Sequence, residues 1–178
     1  MKPFVEGLGF ASMAFAEGRS SRYWYCLAVA SRWATRMVSL QQVRAGIVMH
    51  VRVDMPGQPL EFFVVDGHSD PLRDRRRMPA DLRALLDAAD PPIDVVVGDF
   101  NAPSRSVGLD EMRGDYWLAA ETSGQYAMTW PHPLPLFDLD QIWVTLQRGG
   151  RDAKLYTLPQ GDHRGQTVRI SASPRSEH

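Results

Sequence analysis

The sequence predicts an α+β protein built on packed β-sheets. Several short stretches carry the apolar vocabulary or the two-residue alternation of strands. One helix is clearly bounded, by Pro79 at its start and Pro91-Pro92 at its end. Turn residues separate the strands at short intervals.

In chain order, a short helix is expected over 3–8. Residues 24–30, WYCLAVA, are apolar enough for a strand buried on both faces. From 47 to 53 the pattern alternates: Ile47, Met49, Val51 and Val53 point one way, Val48, His50 and Arg52 the other. His50 therefore reads as solvated on a polar face. Met55-Pro56-Gly57-Gln58 supplies a turn, and 60–65 returns as the hairpin partner. Leu82, Leu85, Leu86 and Ala89 then repeat at helical spacing. Strands follow at 93–98, 141–146, 153–158 and 166–170, with a second short helix over 108–119. The helix between 60–65 and 93–98 could also be a crossover, so strand direction stays open. Residues 173–178 read as a polar tail after one domain over 1–172.

A chain of 178 residues suits one domain. Twenty basic residues against 21 acidic give a net charge of −1, which does not advertise a non-specific nucleic-acid binder. The single cysteine, Cys26, forms neither an internal disulfide nor a thiolate zinc site by itself. No apolar run approaches the roughly 20 residues that span a bilayer. Lys2 and the Ala14-Phe15-Ala16 triplet invite comparison with a signal peptide, but Glu6 interrupts a mildly hydrophobic stretch. The N-terminus reads as mature sequence, and a cytoplasmic location is favoured.

Polar residues collect at the strand ends, where a scaffold presents functional groups. Asp66-Gly67-His68-Ser69-Asp70 follows one strand, and Asp99 and Asn101 follow another. Asp138 and Asp140 precede a third, and Asp162-His163 a fourth. Carboxylates suit a hard cation, histidine moves a proton near neutral pH, and an amide can hold a phosphate oxygen.

These segments, VVVGDFNAPS, VVDGHSDP, LDQIWVT and GDHRGQTVRI, together with CLAVASRWA and MTWPHP, resemble the endonuclease/exonuclease/phosphatase family of DNase I-like proteins. Each motif is weak alone; their joint order carries the likeness. It implies a four-layer α/β/β/α sandwich and hydrolysis of a phosphate ester with Mg²⁺ or Mn²⁺. The substrate would be nucleic acid or a small molecule. By the same resemblance, Asp99 orients the attacking water, Asn101 holds a phosphate oxygen, and His163 is general base or stabilises the transition state. Asp140 pairs with His163, Asp162 lies at the metal, His68 contacts the scissile phosphate, and Arg32 neutralises its charge.

The family pattern begins with a strand carrying asparagine and a second strand ending in Gln-Glu, and the present sequence starts beyond both. The glutamate is the family's main metal ligand; Glu6, Glu17 and Glu61 do not match it. Two expectations follow. A sheet edge or core face is left uncovered, favouring self-association. A rival function is a weakly active or inactive member of the fold serving as a binding or assembly module. Gly161, Gly165, Ala34 and Cys26 also depart from the family's usual residues.

Plainer readings stand beside these. Asp99 and Asn101 form an Asx turn as readily as a site, and His68 could cap the following turn. Asp138 reads as a turn residue, His132 as part of a stiff proline loop, and Trp143 as packing. Trp130 either packs or stacks on a substrate ring. Arg73, Arg75, Arg76, Arg77 and Arg83 read as solvated, because Asp74 and Asp81 dilute their charge.

Overall fold

Alternating strands joined by tight turns build a six-stranded sheet at the centre of the computed structural model. The structure describes residues 7, 9–20, 23–70, 74, 76–123, 127–159 and 161–171. Apart from Gly7, the helix expected over 3–8, with Glu6, lies outside these, as do the tail 173–178, Arg73 and Arg75. The strands are β1 (Ser12–Ser20), β2 (Tyr23–Ser31), β3 (Ala34–Val43), β4 (Gly46–Asp54), β5 (Leu60–Gly67), β6 (Val95–Asp99), β7 (Tyr116–Leu118), β8 (Asp140–Thr145), β9 (Gly150–Thr157) and β10 (Arg164–Ile170). Helix α1 spans Met78–Asp87 and α2 Leu109–Arg113. The central sheet runs β3-β4-β5-β6-β8-β7, and two-stranded sheets β1-β2 and β9-β10 complete the fold.

The crossover reading of α1 is the correct one. It joins β5 to β6 in parallel, whereas the other pairs of the central sheet are antiparallel. The alternation along β4 divides two cores. Val48 joins Phe63, Val65, Val96 and Trp143 beneath α1 and α2. Ile47, Met49, Val51 and Val53 meet Ala14, Ala16 and Leu27 of the β1-β2 hairpin on the opposite face. Sheet β9-β10 touches β8. Among the described residues β2 pairs only with β1 and β10 only with β9, so each keeps an open edge.

Three elements depart from the sequence reading. Strands β1 and β3 were not expected. β1 turns small Ala14 and Ala16 inward, and β3 is a sheet edge exposed along most of its length, so neither shows a strong apolar stripe. The helix over 108–119 stops at Arg113: Gly114 takes φ +44°. Tyr116–Leu118 then pairs with β8, and long-range pairing overrides local propensity.

His50 is also corrected. It is buried, its Nε2 lies 2.8 Å from Glu61 Oε2, and Arg52 Nη1 donates to Glu61 Oε1 at 3.0 Å. The Arg52↔Glu61 register of β4 and β5 supplies a partner that alternation alone cannot reveal. Nearby, buried Arg148 holds Asp94 at 2.7 Å and fastens the β8-β9 turn.

Candidate active site

Strand register assembles the site. Asp66 stands beside Asp99 in the parallel β5-β6 pair, and Asp99 opposite Asp140 in the antiparallel β6-β8 pair. Register neighbours point to one face of a sheet, so three carboxylates form a row at one end of three adjacent strands. Glycine permits the close approach. A Cβ on Gly67 would lie 2.3 Å from the Phe100 carbonyl oxygen.

The Asx turn after β6 is present, and it immobilises the carboxylate. Asn101, at φ +48°, donates its backbone N–H to Asp99 Oδ1 at 2.7 Å. Its Nδ2 donates to Asp99 Oδ2 at 2.9 Å and to the Gly67 carbonyl at 2.7 Å. Both side-chain hydrogens are thus directed at protein oxygens. The amide thus fixes the Asp99 carboxylate.

Opposite this clasp, His163 Nδ1 lies 2.6 Å from Asp140 Oδ2. A carboxylate only accepts, so Nδ1 carries hydrogen and Nε2 faces away from the pair. Buried Thr129 steadies the dyad: its hydroxyl oxygen accepts from the Leu139 and Asp140 N–H groups at 3.1 Å each. The next loop is tied down as well. Trp130 Nε1 donates to Asp162 Oδ2 at 3.0 Å, and His132 N–H donates to the Asp162 carbonyl at 2.7 Å. Asp162 Oδ1 lies 4.0 Å from His163 Nε2.

The charges respond to one another. Burial, then the neighbouring Asp99 charge, pushes the Asp66 carboxyl up to about 6. For His163, burial works to lower the pKa, but the Asp140 hydrogen bond and the Asp140, Asp99 and Asp162 charges together raise it. The indole N–H of Trp130 holds Asp162 below the usual carboxylate range.

Asp66 is the residue that sequence reasoning missed. Its signal is its register with Asp99, which exists only once β5 and β6 pair. Because its folded pKa is raised, folding loses stability as pH climbs from about 4 to about 6. Asp66→Asn is therefore expected to stabilise the chain above pH 7 in EDTA by about 1–2 kcal/mol, after discounting for solvent on its open side. Urea unfolding at pH 7.5 and pH 4 checks this, and the gain should vanish at the lower pH.

Asp99, Asn101, Asp162 and His163 line one cleft of about 650 Å³, and Asp140 joins them through His163. His68 is buried, next in sequence to Ser69 of the cleft lining, and its ring lies 4.3 Å from that of Tyr23. Its Nδ1 accepts from Asp70 N–H at 3.0 Å, the turn-capping alternative. Arg32 is not brought to the cleft. Tyr23, beside His68, begins β2, and Arg32 follows its far end, nine residues or roughly 30 Å away at the strand rise. Asp138 accepts from Ser104 N–H at 3.2 Å, as a turn residue should, and Trp143 is a core residue.

The donor set fits a hard divalent cation. Oxygen or nitrogen atoms of Asp99, Asp140 and His163 lie within 4.8 Å of one another. The Asp66–Asp99 repulsion marks the same place as one that positive charge would stabilise. Within that group His163 is engaged with Asp140.

Comparison with known proteins bears on the family and the fold. The model of the Endonuclease/Exonuclease/phosphatase family matches residues 3–163. No curated protein matches the sequence significantly. A functionally unknown conserved protein from Enterococcus faecalis is similar in structure, with TM-score 0.68 and 13% identity, covering 89% of this chain and 76% of that one. The human Nocturnin catalytic domain with bound sulfate has TM-score 0.64 and 18% identity, covering 96% and 76%. A mannosyl-6-phosphatase from Bacteroides thetaiotaomicron has TM-score 0.61 and 12% identity, covering 90% and 77%. At such identities these likenesses concern the fold.

Proposed function

The chain belongs to the endonuclease/exonuclease/phosphatase family, and from this premise we propose that it hydrolyses phosphate esters with help from Mg²⁺ or Mn²⁺. One observation carries the reading: the Asp99–Asn101 clasp and the Asp140–His163 dyad meet in one cleft.

Asp99, its two oxygens held by Asn101, orients a water for in-line attack on phosphorus: as the water oxygen bonds to phosphorus and passes its proton to Asp99, the ester P–O bond opposite breaks and the departing oxygen takes a proton from solvent. His163 presents Nε2 to the phosphate oxygens. Its raised pKa favours the imidazolium, which stabilises negative charge growing on the phosphoryl group. Asp140 orients the ring and supports that charge. Asp162, anchored by Trp130, together with Asp99 would hold the cation, which supplies charge neutralisation at the phosphate oxygens when bound.

Hydrolysis of bis-p-nitrophenyl phosphate and of plasmid DNA, with Mg²⁺, Mn²⁺ or EDTA, tests the proposal. Turnover is expected with metal, is lost in EDTA, and falls by about 10²–10⁴-fold in His163→Ala. A well-folded sample inert with every metal overturns it and returns the binding-module alternative. Comparing a diester, plasmid DNA and a sugar phosphate separates nuclease from phosphatase behaviour.

A further inference from the structure

Asp140 opens β8 and His163 stands just before β10, and these two strands belong to different sheets. A backbone ladder therefore does not set their separation, yet His163 Nδ1 and Asp140 Oδ2 meet at 2.6 Å. We infer that Thr129 is the positioning residue of the dyad: its hydroxyl holds the Asp140 segment and its carbonyl holds the His163 segment. In assigning Thr129 an effect on turnover, the inference rests on the hydrolase reading.

Thr129 is 0% exposed and reaches both segments directly. On one side its hydroxyl oxygen accepts from the N–H groups of Leu139 and Asp140, at 3.1 Å each. The hydroxyl hydrogen turns to the Phe137 carbonyl at 3.4 Å, the oxygen to which Thr129 N–H also donates, at 2.7 Å. A hydroxyl offers one donor and two acceptor lone pairs, and here all three are engaged, so its orientation is fixed. On the other side the Thr129 carbonyl accepts from Arg164 N–H at 2.9 Å, one residue beyond His163.

The neighbours of Thr129 lengthen this brace. Arg164 Nη1 donates to the Met128 carbonyl at 3.4 Å, and His132 N–H donates to the Asp162 carbonyl at 2.7 Å. Residues 128–132 thus run beside 162–164, and the Thr129 hydroxyl carries the hold across to β8. Gln166 Nε2 donates to the Asp140 carbonyl and ties β10 to the same residue. That bond leaves the Asp140 N–H to Thr129.

The chemistry of the position calls for a hydroxyl. Valine has nearly the shape of threonine, but it would leave two buried N–H groups without an acceptor, and the strand end would shift to find one. Serine fills the space less well and keeps the oxygen. Reactivity is steep in position: a displacement of about 1 Å can cost on the order of 10²-fold in rate. Thr129 therefore acts on the reaction through Asp140 and His163.

Thr129→Val, Thr129→Ser and Thr129→Cys, assayed on bis-p-nitrophenyl phosphate with Mn²⁺, provide the test. In Thr129→Val kcat is expected to fall about 10²-fold while KM stays within about threefold. Thr129→Ser should return kcat to within about tenfold of the wild type. A packing role alone predicts the opposite order, because valine fills the site better than serine. Should Thr129→Val fail to fold, Thr129→Cys replaces it: sulfur is a weak acceptor, so its kcat should fall below that of Thr129→Ser.

A second readout needs no turnover. Long-range proton–nitrogen correlation spectra at high pH report which ring nitrogen of His163 carries hydrogen, its signals being identified by their absence from His163→Ala. The wild type and Thr129→Ser should hold hydrogen on Nδ1, facing Asp140, whereas Thr129→Val should lose that preference. Valine as active as the wild type, or an Nδ1–H form unchanged in Thr129→Val, overturns the inference and leaves the hydrolase reading intact. If no ester is turned over even by the wild type, yet the Nδ1–H form is lost in Thr129→Val and kept in Thr129→Ser, the positioning role stands and the hydrolase reading falls.

Discussion

Gly98→Ala is expected to leave little folded protein at 25 °C. Gly98 has φ +147°, and a Cβ there would lie 1.9 Å from the Val65 carbonyl oxygen and 2.9 Å from two further Val65 backbone atoms. Val65 is its register partner on β5, so relief requires the two central strands to part. Backbone cannot swing aside as a flexible side chain does. The cost should exceed about 4 kcal/mol, much of a typical domain's total stability. Gly57→Ala is the control: φ is +89° with open space around it, so only the left-handed penalty of about 1–2 kcal/mol applies. Urea unfolding of both variants checks the contrast. The strand contact protected by Gly98 also sets Asp66 beside Asp99, so stability and site geometry share this residue.

The second large effect concerns Asp140→Asn, which should reduce turnover by about 10²–10⁴-fold. The amide keeps the shape of the carboxylate but loses the charge that faces His163 at 2.6 Å. An activity-independent readout accompanies it. Burial opposes protonation of His163, and the Asp140 bond and charge are the leading contributions that outweigh it, so the histidine midpoint should fall in the variant.

The stability consequence has a definite sign. A histidine whose folded pKa is raised contributes stability fully below its unfolded value near 6.5, and loses it as pH rises through the folded value. Asp140→Asn should therefore destabilise more at pH 5.5 than at pH 9, by about 1 kcal/mol or less for so open a pair. Nuclear magnetic resonance titration of the histidines and urea unfolding at the two pH values measure both. An unmoved His163 midpoint would refute the coupling.

Much of the fold was legible because several elements carry local signals. Alternation along β4 marked its two faces, and the prolines bounded α1. The edge strand β3 was not legible, since exposure on both sides removes the stripe that betrays a strand. The segment after Gly114 was misread because its extended state comes from pairing with β8. His50 within the sheet and Asp66 in the site show the same difficulty: each takes its character from a neighbouring strand, Glu61 for one and Asp99 for the other.

The sequence by itself determined which chemical groups this protein possesses and their order along the chain: Asp99 and Asn101 after one strand, Asp140 at another, Asp162 and His163 before a third. These follow from local rules of alternation and turn formation and from motif order. Only the tertiary structure decided which of them meet. It brought Asp66 into the carboxylate row, turned the Asn101 amide back onto Asp99, buried His68 against Tyr23, and sent Arg32 to the distant end of β2. Strand register and direction are set by contacts between residues far apart in the chain, and those contacts are absent from any local stretch of sequence.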